Sequence, residues 1–347
     1  MNIFQIETEQ DYLRNKNNMD INKINHEQKN ALFYSVLFKN EEKTKWLIKH
    51  NINLYQEDKV GKNALFYANE HFSKILIEAG ININHQDKDG NSPLFYSDNK
   101  KSLLLLKKGA DVNILNRENQ NALFYSETKD KTIELIKKGI NINQIDSSLK
   151  NALFCNFPAV AKVLIKAGIN LHLINCNDEN IFFMKNLIDD DSIFQILLNK
   201  KINVNQISKN GNSVLFNCGS QCVEGFVKAG VDINIRNKKG NHALFFATEE
   251  KAIELIKYGI DVSQKNNEGQ DAFTYAYLEL AEILINKMYD FSYYSPENIK
   301  AVEDRYPPLF TSEKKELIKR RKIEVEKEKI LTDLNISGHI QKNIKRI

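Results

Sequence analysis

The sequence predicts an all-α fold, an α-solenoid of about nine helix-turn-helix repeats followed by a C-terminal helical extension. Two observations lead to this prediction. A short apolar phrase recurs along the chain with a period near 30 residues. A second phrase, with paired apolar residues followed by glycine, keeps step with the first. A period of this length is typical of repeats that bury their apolar faces only against their neighbours.

The first phrase is clearest in the run Asn121-Ala122-Leu123-Phe124-Tyr125, and its anchor recurs at positions 32, 65, 94, 123, 153, 182, 215, 244 and 273. Two residues before the anchor, eight of nine copies carry a side chain that caps helix N-termini. These positions are Asn30, Asn63, Ser92, Asn121, Asn151, Asn180, Ser213, His242 and Asp271. Ala or Pro follows in seven copies, which suits the first helical position. Each copy therefore predicts the start of a first helix.

The second phrase predicts the second helix of each repeat. It is seen in Leu76-Ile77-Glu78-Ala79-Gly80 and in Leu106-Lys107-Lys108-Gly109. Glycine at this place permits the left-handed conformation in which helices commonly end. Residues that tolerate positive φ also stand two before the caps, at Gly61, Gly90, Asn119, Asp178, Gly211, Gly240 and Gly269. A tight turn is therefore expected before each first helix.

These phrases resemble the ankyrin repeat, whose consensus contains T-P-L-H-x-A and G-A-D-V-N. Ser92-Pro93-Leu94-Phe95-Tyr96-Ser97 matches the first part, and Gly109-Ala110-Asp111-Val112-Asn113 matches the second. The resemblance covers roughly residues 20–287. It implies an ankyrin-type solenoid that binds other proteins.

Two departures from the consensus matter. Phe occupies the family's His position in most repeats, as at Phe95 and Phe124, which predicts a more apolar stack. Six of the eight spacings fall three or four residues short of 33, which predicts a first helix about one turn shorter. Only the units around Leu32–Leu47 and Phe182–Leu197 have full length. The short form is similar to ankyrin arrays of some bacterial type III effectors, including the arginine-modifying effectors of Shigella, although no such catalytic domain precedes the repeats here.

The composition predicts three segments. Residues 1–29 are an N-terminal capping segment with a short helix over Glu9–Lys16, and residues 30–287 are the repeat array. Residues 288–347 form the helical extension. Within it, a helix starts at Ser295-Pro296 and breaks at Tyr306-Pro307, and a charged helix follows over Ser312–Leu334.

Charge and hydropathy narrow the classes of partner. The net charge is only +4, and just seven of the 49 basic residues are Arg, so we expect no nucleic-acid partner. The basic stretch Lys319–Lys322 has interleaved Glu nearby and favours a solvated helix over a membrane or nucleic-acid site. No apolar run approaches the roughly 18 residues of a membrane span. The first residues lack a signal-peptide pattern. We expect a cytoplasmic protein or, alternatively, one delivered to a host cell without a cleaved signal peptide.

No motif for catalysis, nucleotide binding or metal binding is present in the sequence, and the seven His are scattered over different repeats. The four cysteines do not form a zinc pattern and are interpreted as reduced thiols. Cys155 and Cys218 are expected to be small core residues. The sequence therefore predicts no catalytic, cofactor or metal site.

Two sets of residues are candidates for binding. The column Tyr34, Tyr67, Tyr96, Tyr125 and Tyr275, with Phe246 in step, is either an aromatic strip for a partner or a structural ladder; we favour the ladder. The turn tips vary while their frame repeats, as recognition surfaces do. The predicted protein-binding residues are Lys59, Lys62, Lys88, Asp89, Arg117, Glu118, Lys150, Lys209, Lys238 and Lys239.

The leading functional hypothesis is a non-enzymatic, monomeric interaction scaffold. It would bind a partner protein through the tips and the concave face of the repeats. One alternative is the accessory or substrate-recognition part of a bacterial effector or toxin enzyme system. A second alternative is a nucleic-acid or membrane binder that uses the basic tail, and a steep salt dependence of binding would distinguish it.

Overall fold

A computed structural model describes residues 20–155, 157–275, 281–282, 296–316, 318–320 and 323. All secondary structure in this part of the chain is helical, and it contains no β-strand. The chain divides into two compact units, residues 1–176 and 177–347. Each unit is a stack of repeats, numbered here 1 to 9 from the capping positions at residues 30, 63, 92, 121, 151, 180, 213, 242 and 271.

The first unit contains repeats 1 to 5. The first helices or turns span Ala31–Leu37, Ala64–Tyr67, 93–96, Ala122–Tyr125 and Ala152–Cys155. The second helices span Glu41–Lys49, Glu70–Glu78, Asn99–Lys107, Lys129–Lys137 and Pro158–Lys166. The predicted order of helix, turn and helix in each repeat is confirmed.

The second unit contains repeats 6 to 9. The first helices of repeats 6 to 9 comprise Ile181–Phe183 with Lys185–Ile188, then Val214–Phe216, Ala243–Phe246 and Ala272–Tyr275. The second helices of repeats 6 to 8 are Asp191–Leu198, Ser220–Lys228 and Glu249–Lys257. The helix Pro296–Arg305 follows and packs against Ala272–Tyr275, and the 3-10 turn Pro307–Leu309 comes next.

The prediction of shortened first helices is confirmed. Repeats 1 and 6 have the longest first-helix segments, over residues 31–37 and 181–188. In repeats 2 to 5, 7 and 8 this element is a single turn, and in several of them it is a 3-10 turn. Four fewer residues remove about one α-helical turn. The spacing between phrases, which the sequence displays directly, therefore fixes the length of this element.

Burial follows the two repeated phrases. The anchor Leu of the first helix is fully buried, as at Leu65 and Leu123, and so is the Leu of the second helix, as at Leu76 and Leu135. Second helices of consecutive repeats pack side by side within each unit, and first helices also meet their neighbours. Each repeat thus buries its apolar face against adjacent repeats, as a solenoid requires.

Asparagine at the capping position makes two hydrogen bonds. Asn121 is fully buried, and its Oδ1 accepts the backbone N–H of Leu123 at 3.1 Å. Its Nδ2 donates to the backbone oxygen of Asn141 at 2.8 Å, in the loop after the second helix. The same pair of bonds occurs at Asn30, Asn63, Asn151 and Asn180. The residue therefore joins both ends of its own repeat.

Three capping positions differ from the prediction. The Oγ of Ser92 is buried without a hydrogen-bond partner, and Ser213 makes no side-chain cap bond, so the prediction of capping was wrong for both. A hydroxyl is shorter than an amide and does not reach both partners here. His242, the one residue not expected to cap, accepts the N–H of Leu244 through Nδ1 at 3.3 Å.

His242 gives the second unit a dependence on acid. Because Nδ1 accepts a bond, Nε2 carries the proton in the neutral ring, and this buried N–H has no partner. Burial lowers the pKa of His242 to about 4. Above pH 6.5, the ordinary pKa of histidine in the unfolded chain, the ring is neutral in both the folded and the unfolded state, and its burial does not make stability depend on pH. The stability that depends on it is lost as the pH falls from 6.5 toward 4, by up to about 3 kcal/mol.

His242→Asn is expected to remove this acid sensitivity. Asparagine keeps the acceptor for Leu244 and adds the amide donor that the other repeats use. Chemical denaturation of the second unit at pH 7 and pH 4.5 checks the expectation: the variant loses less stability over this interval than the wild-type chain. An equal loss in both proteins would show that His242 does not carry the effect.

Residues with positive φ stand where the sequence predicts them, and four further residues also adopt positive φ: Gln28, Lys39, Leu149 and Lys201. Gly90 has φ +83, and a Cβ there would lie 3.0 Å from the Cα of Asn116, so both conformation and space require glycine. Asn119 and Asp178 adopt φ near 60° at the same turn position. Leu149 does so too, with φ 61. Nothing in its residue type predicted this, because the fold imposes the conformation through the neighbouring turns.

The predicted division at 29/30 and 287/288 stays a prediction, since residues 1–19 and 283–295 lie outside the described residues. The helix predicted over Glu9–Lys16 and the cap at Ser295 fall on the same undescribed segments. The predicted break after the first extension helix is confirmed, because that helix ends at Arg305. Only residues 312–316, 318–320 and 323 of the predicted charged helix are described, and they are helical.

Candidate functional site

The turn before each first helix is held by one polar side chain. In repeat 3, the Oδ1 of Asp87 accepts the backbone N–H of Asp89 at 3.1 Å and of Asn91 at 2.9 Å. The backbone N–H of Asp87 donates to the oxygen of Asn91 at 2.9 Å. Equivalent turns occur at Asn25, Asp58, Asn116, Asp146, Asn237 and Asn266. This local bonding fixes the frame and leaves the tip residues to solvent.

Backbone hydrogen bonds connect successive tips. The N–H of Lys88 donates to the oxygen of Val60 at 3.0 Å, and the N–H of Arg117 donates to the oxygen of Asp89 at 2.8 Å. In the second unit, Lys209 donates to Asn177 and Lys238 donates to Asn210 in the same way. Because backbone groups carry these bonds, they do not depend on which side chain occupies a tip.

The predicted binding residues lie on these tips in both units. Eight of the ten are exposed: Lys59, Lys88, Asp89, Arg117, Glu118, Lys209, Lys238 and Lys239. Lys62 and Lys150 are only half-exposed. The backbone bonds bring the tips of neighbouring repeats together within each unit. The tips of the first unit mix both signs of charge, whereas the three predicted residues of the second unit are all lysine.

The side chain of Lys62 makes contacts within the chain and is less available to a partner than the other predicted binding residues. Its Nζ lies 4.2 Å from the ring centroid of Tyr96 and 5.8 Å from that of Phe66. The carboxylate of Asp87 is 3.9 Å from the same nitrogen. A cation over an aromatic ring is attracted by the negative face of the ring. The side chain is therefore engaged within the chain between repeats 2 and 3.

The tyrosine column ties each first helix to the turn before it. The hydroxyl of Tyr96 donates to Oδ2 of Asp87 at 3.2 Å and accepts from Nδ2 of Asn91 at 2.7 Å. Burial and the charge of Asp87 raise the pKa of Tyr96 to about 12. The ring packs on Phe66 of the preceding repeat, with centroids 6.1 Å apart. These contacts confirm the structural interpretation of this tyrosine; the side chain of Tyr275 lies outside the described residues.

Sequence reasoning missed a set of buried lysines. Lys131 is 3% exposed, and its Nζ donates to the backbone oxygens of Phe95 at 3.2 Å and Ser97 at 3.0 Å. Lys101 and Lys251 make the same kind of bond to the first helix of the preceding repeat, at the backbone oxygens of Leu65 and Phe216 respectively. Burial lowers the pKa of Lys101 and of Lys131 to about 8. The single-turn first helices leave carbonyls open, and these ammonium groups bond to them.

A cavity of about 430 Å³ opens in the first unit beside repeats 3 to 5. Phe95 and Phe124 form buried parts of its lining, and Phe157 is 59% exposed. The carboxylates of Asp98 and Glu127 also line it. No sequence motif marked this cavity, because its residues come from three repeats and from positions that differ among them.

The cysteines separate into two classes, and all four are free thiols. Cys218 is buried as predicted, and Cys222 is buried as well, with its Sγ donating to the oxygen of Ile188 at 3.3 Å. Cys155 is exposed, so the prediction of a core position was wrong. It occupies the tyrosine column, and that column lies at the edge of the stack. Within the described residues no group of three His, Cys, Asp or Glu could hold a metal ion.

Comparison with known proteins agrees with the fold. The family model described as ankyrin repeats matches three copies over residues 7–87. A search of curated proteins finds no match. Within the described residues, no helix combines the length and apolar character needed to cross a bilayer. Ankyrin repeats generally mediate protein–protein interaction, and the family is typically non-catalytic. Residues 7–87 therefore match ankyrin repeats, and the all-helical stack of capped helix-turn-helix units in the described residues is consistent with an ankyrin-type solenoid.

Proposed function

We propose that this protein is a non-enzymatic scaffold that binds a partner protein through its turn tips and the groove beside them. The observation that carries the proposal is the contrast between frame and tips. The frame is bonded through Asp or Asn side chains and backbone groups, whereas the exposed tip residues differ from repeat to repeat. Such a surface can change its specificity without changing its fold.

The charges on the tips indicate which charges a partner would carry on the surface that faces them. Lys88 and Arg117 stand next to Asp89 and Glu118, so the first unit offers alternating signs. Lys209, Lys238 and Lys239 give the second unit a basic row. Complementary charge mainly steers encounter and sets specificity, and exposed pairs add little affinity each. We therefore expect a partner with acidic residues facing the second unit.

A charge-reversal experiment tests this proposal. The full chain is immobilised, and binding peptides are selected from a random displayed library. The triple variant Lys88→Glu, Arg117→Glu, Lys238→Glu is then compared with the wild-type chain by titration of the selected peptides. We expect affinity to fall at least about tenfold, which corresponds to about 1.4 kcal/mol.

The matched control carries the same change in charge on another surface. Lys107, Lys166 and Lys200 are exposed residues at or just after the ends of second helices. Replacing all three by Glu is expected to leave affinity within about twofold. Unchanged binding by the tip variant, or an equal loss in the control, would contradict the proposed binding surface.

A further inference from the structure

Lysines of one repeat cover tyrosines of the next in the first unit. The Nζ of Lys29 lies 5.0 Å from the ring centroid of Tyr67, and the Nζ of Lys62 lies 4.2 Å from that of Tyr96. Both lysines directly precede the capping residue of their repeat. The chain therefore supplies a cation to the tyrosine of the following repeat at two successive steps.

The series is interrupted at the third step. The residue that precedes the cap of repeat 3 is Asn91, and the tyrosine of repeat 4 is Tyr125. Asn91 is buried and bonds to Tyr96 and Asn116. Among the described residues no lysine or arginine lies over the ring of Tyr125, which is 36% exposed. Tyr125 thus keeps an aromatic surface that the two preceding tyrosines share with a cation.

The cavity described above lies at this interruption. Tyr96, Tyr125 and Phe157 contribute aromatic rings to its lining, and Asp98 and Glu127 contribute exposed carboxylates. One oxygen of Asp98 accepts the N–H of Lys101 at 2.8 Å as a helix cap. The volume of the cavity, about 430 Å³, lies within the range of pockets that hold small ligands. Aromatic faces beside carboxylates form an environment that favours a cation.

Lys131 is the cationic residue in the cavity lining, and its charge would repel a cation that enters the cavity. Its ammonium group is turned to the backbone oxygens of Phe95 and Ser97, and the side chain is 3% exposed. Two exposed carboxylates therefore line the cavity together with one buried ammonium group.

We propose that this cavity receives an arginine side chain of the partner protein. The guanidinium would lie against the ring of Tyr125 and pair with Glu127 or Asp98. Arginine fits better than lysine because its planar group stacks on a ring and bonds a carboxylate with two parallel N–H groups. The inference rests on the proposed function and specifies the chemistry of one part of the partner.

Titration with a blocked arginine amide tests the inference. The probe is N-acetyl-arginine N-methylamide, added to the full isotope-labelled chain and followed by NMR. We expect saturable shifts of the amides of Ser126 and Glu127. The neutral isostere N-acetyl-citrulline N-methylamide has almost the same shape without the charge, and its binding is expected to be at least about tenfold weaker.

Two conservative variants and one control complete the test. Glu127→Gln and Asp98→Asn keep size, and asparagine keeps the capping acceptor, so both variants are expected to fold and to weaken the arginine probe severalfold. Glu70→Gln removes an exposed carboxylate at the start of another second helix and is expected to change nothing. Equal binding of arginine and citrulline amides, or full binding by both variants, would overturn the inference. If the peptides selected against the tips still bind while the arginine probe does not, the arginine site alone is wrong.

Discussion

Replacing Phe226 with alanine is expected to lower the free energy of unfolding of the second unit by about 3–5 kcal/mol. Phe226 is fully buried in the second helix of repeat 7. Its ring centroid lies 5.2 Å from that of Phe182 and 4.9 Å from that of Phe194, both in repeat 6. The substitution removes the ring from this inter-repeat cluster and leaves a cavity between two repeats.

Amide hydrogen exchange can locate this loss. Coupling between nearest neighbours predicts reduced protection in both repeat 6 and repeat 7, and a smaller effect in repeat 9. The matched control is Phe246→Ala, because Phe246 is also a Phe of the second unit but is 57% exposed. It is expected to cost less than about 1 kcal/mol. Similar losses for the two variants would show that the cluster around Phe226 is not what joins these repeats.

Replacing Asn121 with alanine is expected to cost about 2–4 kcal/mol, because one side chain makes two buried bonds. Alanine removes the acceptor for the N–H of Leu123 and the donor to the oxygen of Asn141. Denaturation of the first unit and exchange of the Leu123 amide measure the effect. An isolated cap replacement would cost about 1 kcal/mol.

Asn121→Ser tests whether both bonds require the amide. Ser92 stands at the same position in repeat 3 with its Oγ unpaired, and Ser213 makes no side-chain cap bond in repeat 7. Serine at position 121 is therefore expected to make neither bond and to lose about as much stability as alanine. A serine variant clearly more stable than the alanine variant would show that a hydroxyl can still accept the N–H of Leu123.

The periodic features of this protein could be predicted from its sequence. Leu65 and Leu123 repeat with the spacing of the array, so their burial follows from the pattern. The short first helices follow from the number of residues between the two phrases. The turn tips could be located as well, because residues that tolerate positive φ, such as Gly90, mark the turns.

Features that depend on partners distant in the sequence could not be predicted. Lysine is usually exposed, so nothing in the sequence indicated that Lys101 and Lys131 would be buried to bond carbonyls of an earlier repeat. The second bond of Asn121 joins residues 20 apart and has no local signature. The nine-residue separation between Tyr96 and Asp87, which recurs between Tyr67 and Asp58, was a signal that could have been found.

The bonds between successive tips have a consequence for how such an array can evolve. Each tip donates one backbone N–H to the tip before it and offers one backbone oxygen to the tip after it, as Arg117 and Asp89 do. A duplicated 29-residue segment would bring one donor and one acceptor of the same kind. Recombination within the gene could therefore insert or delete whole modules while the pairing stays intact, and every inserted module would add new positions on which selection can act.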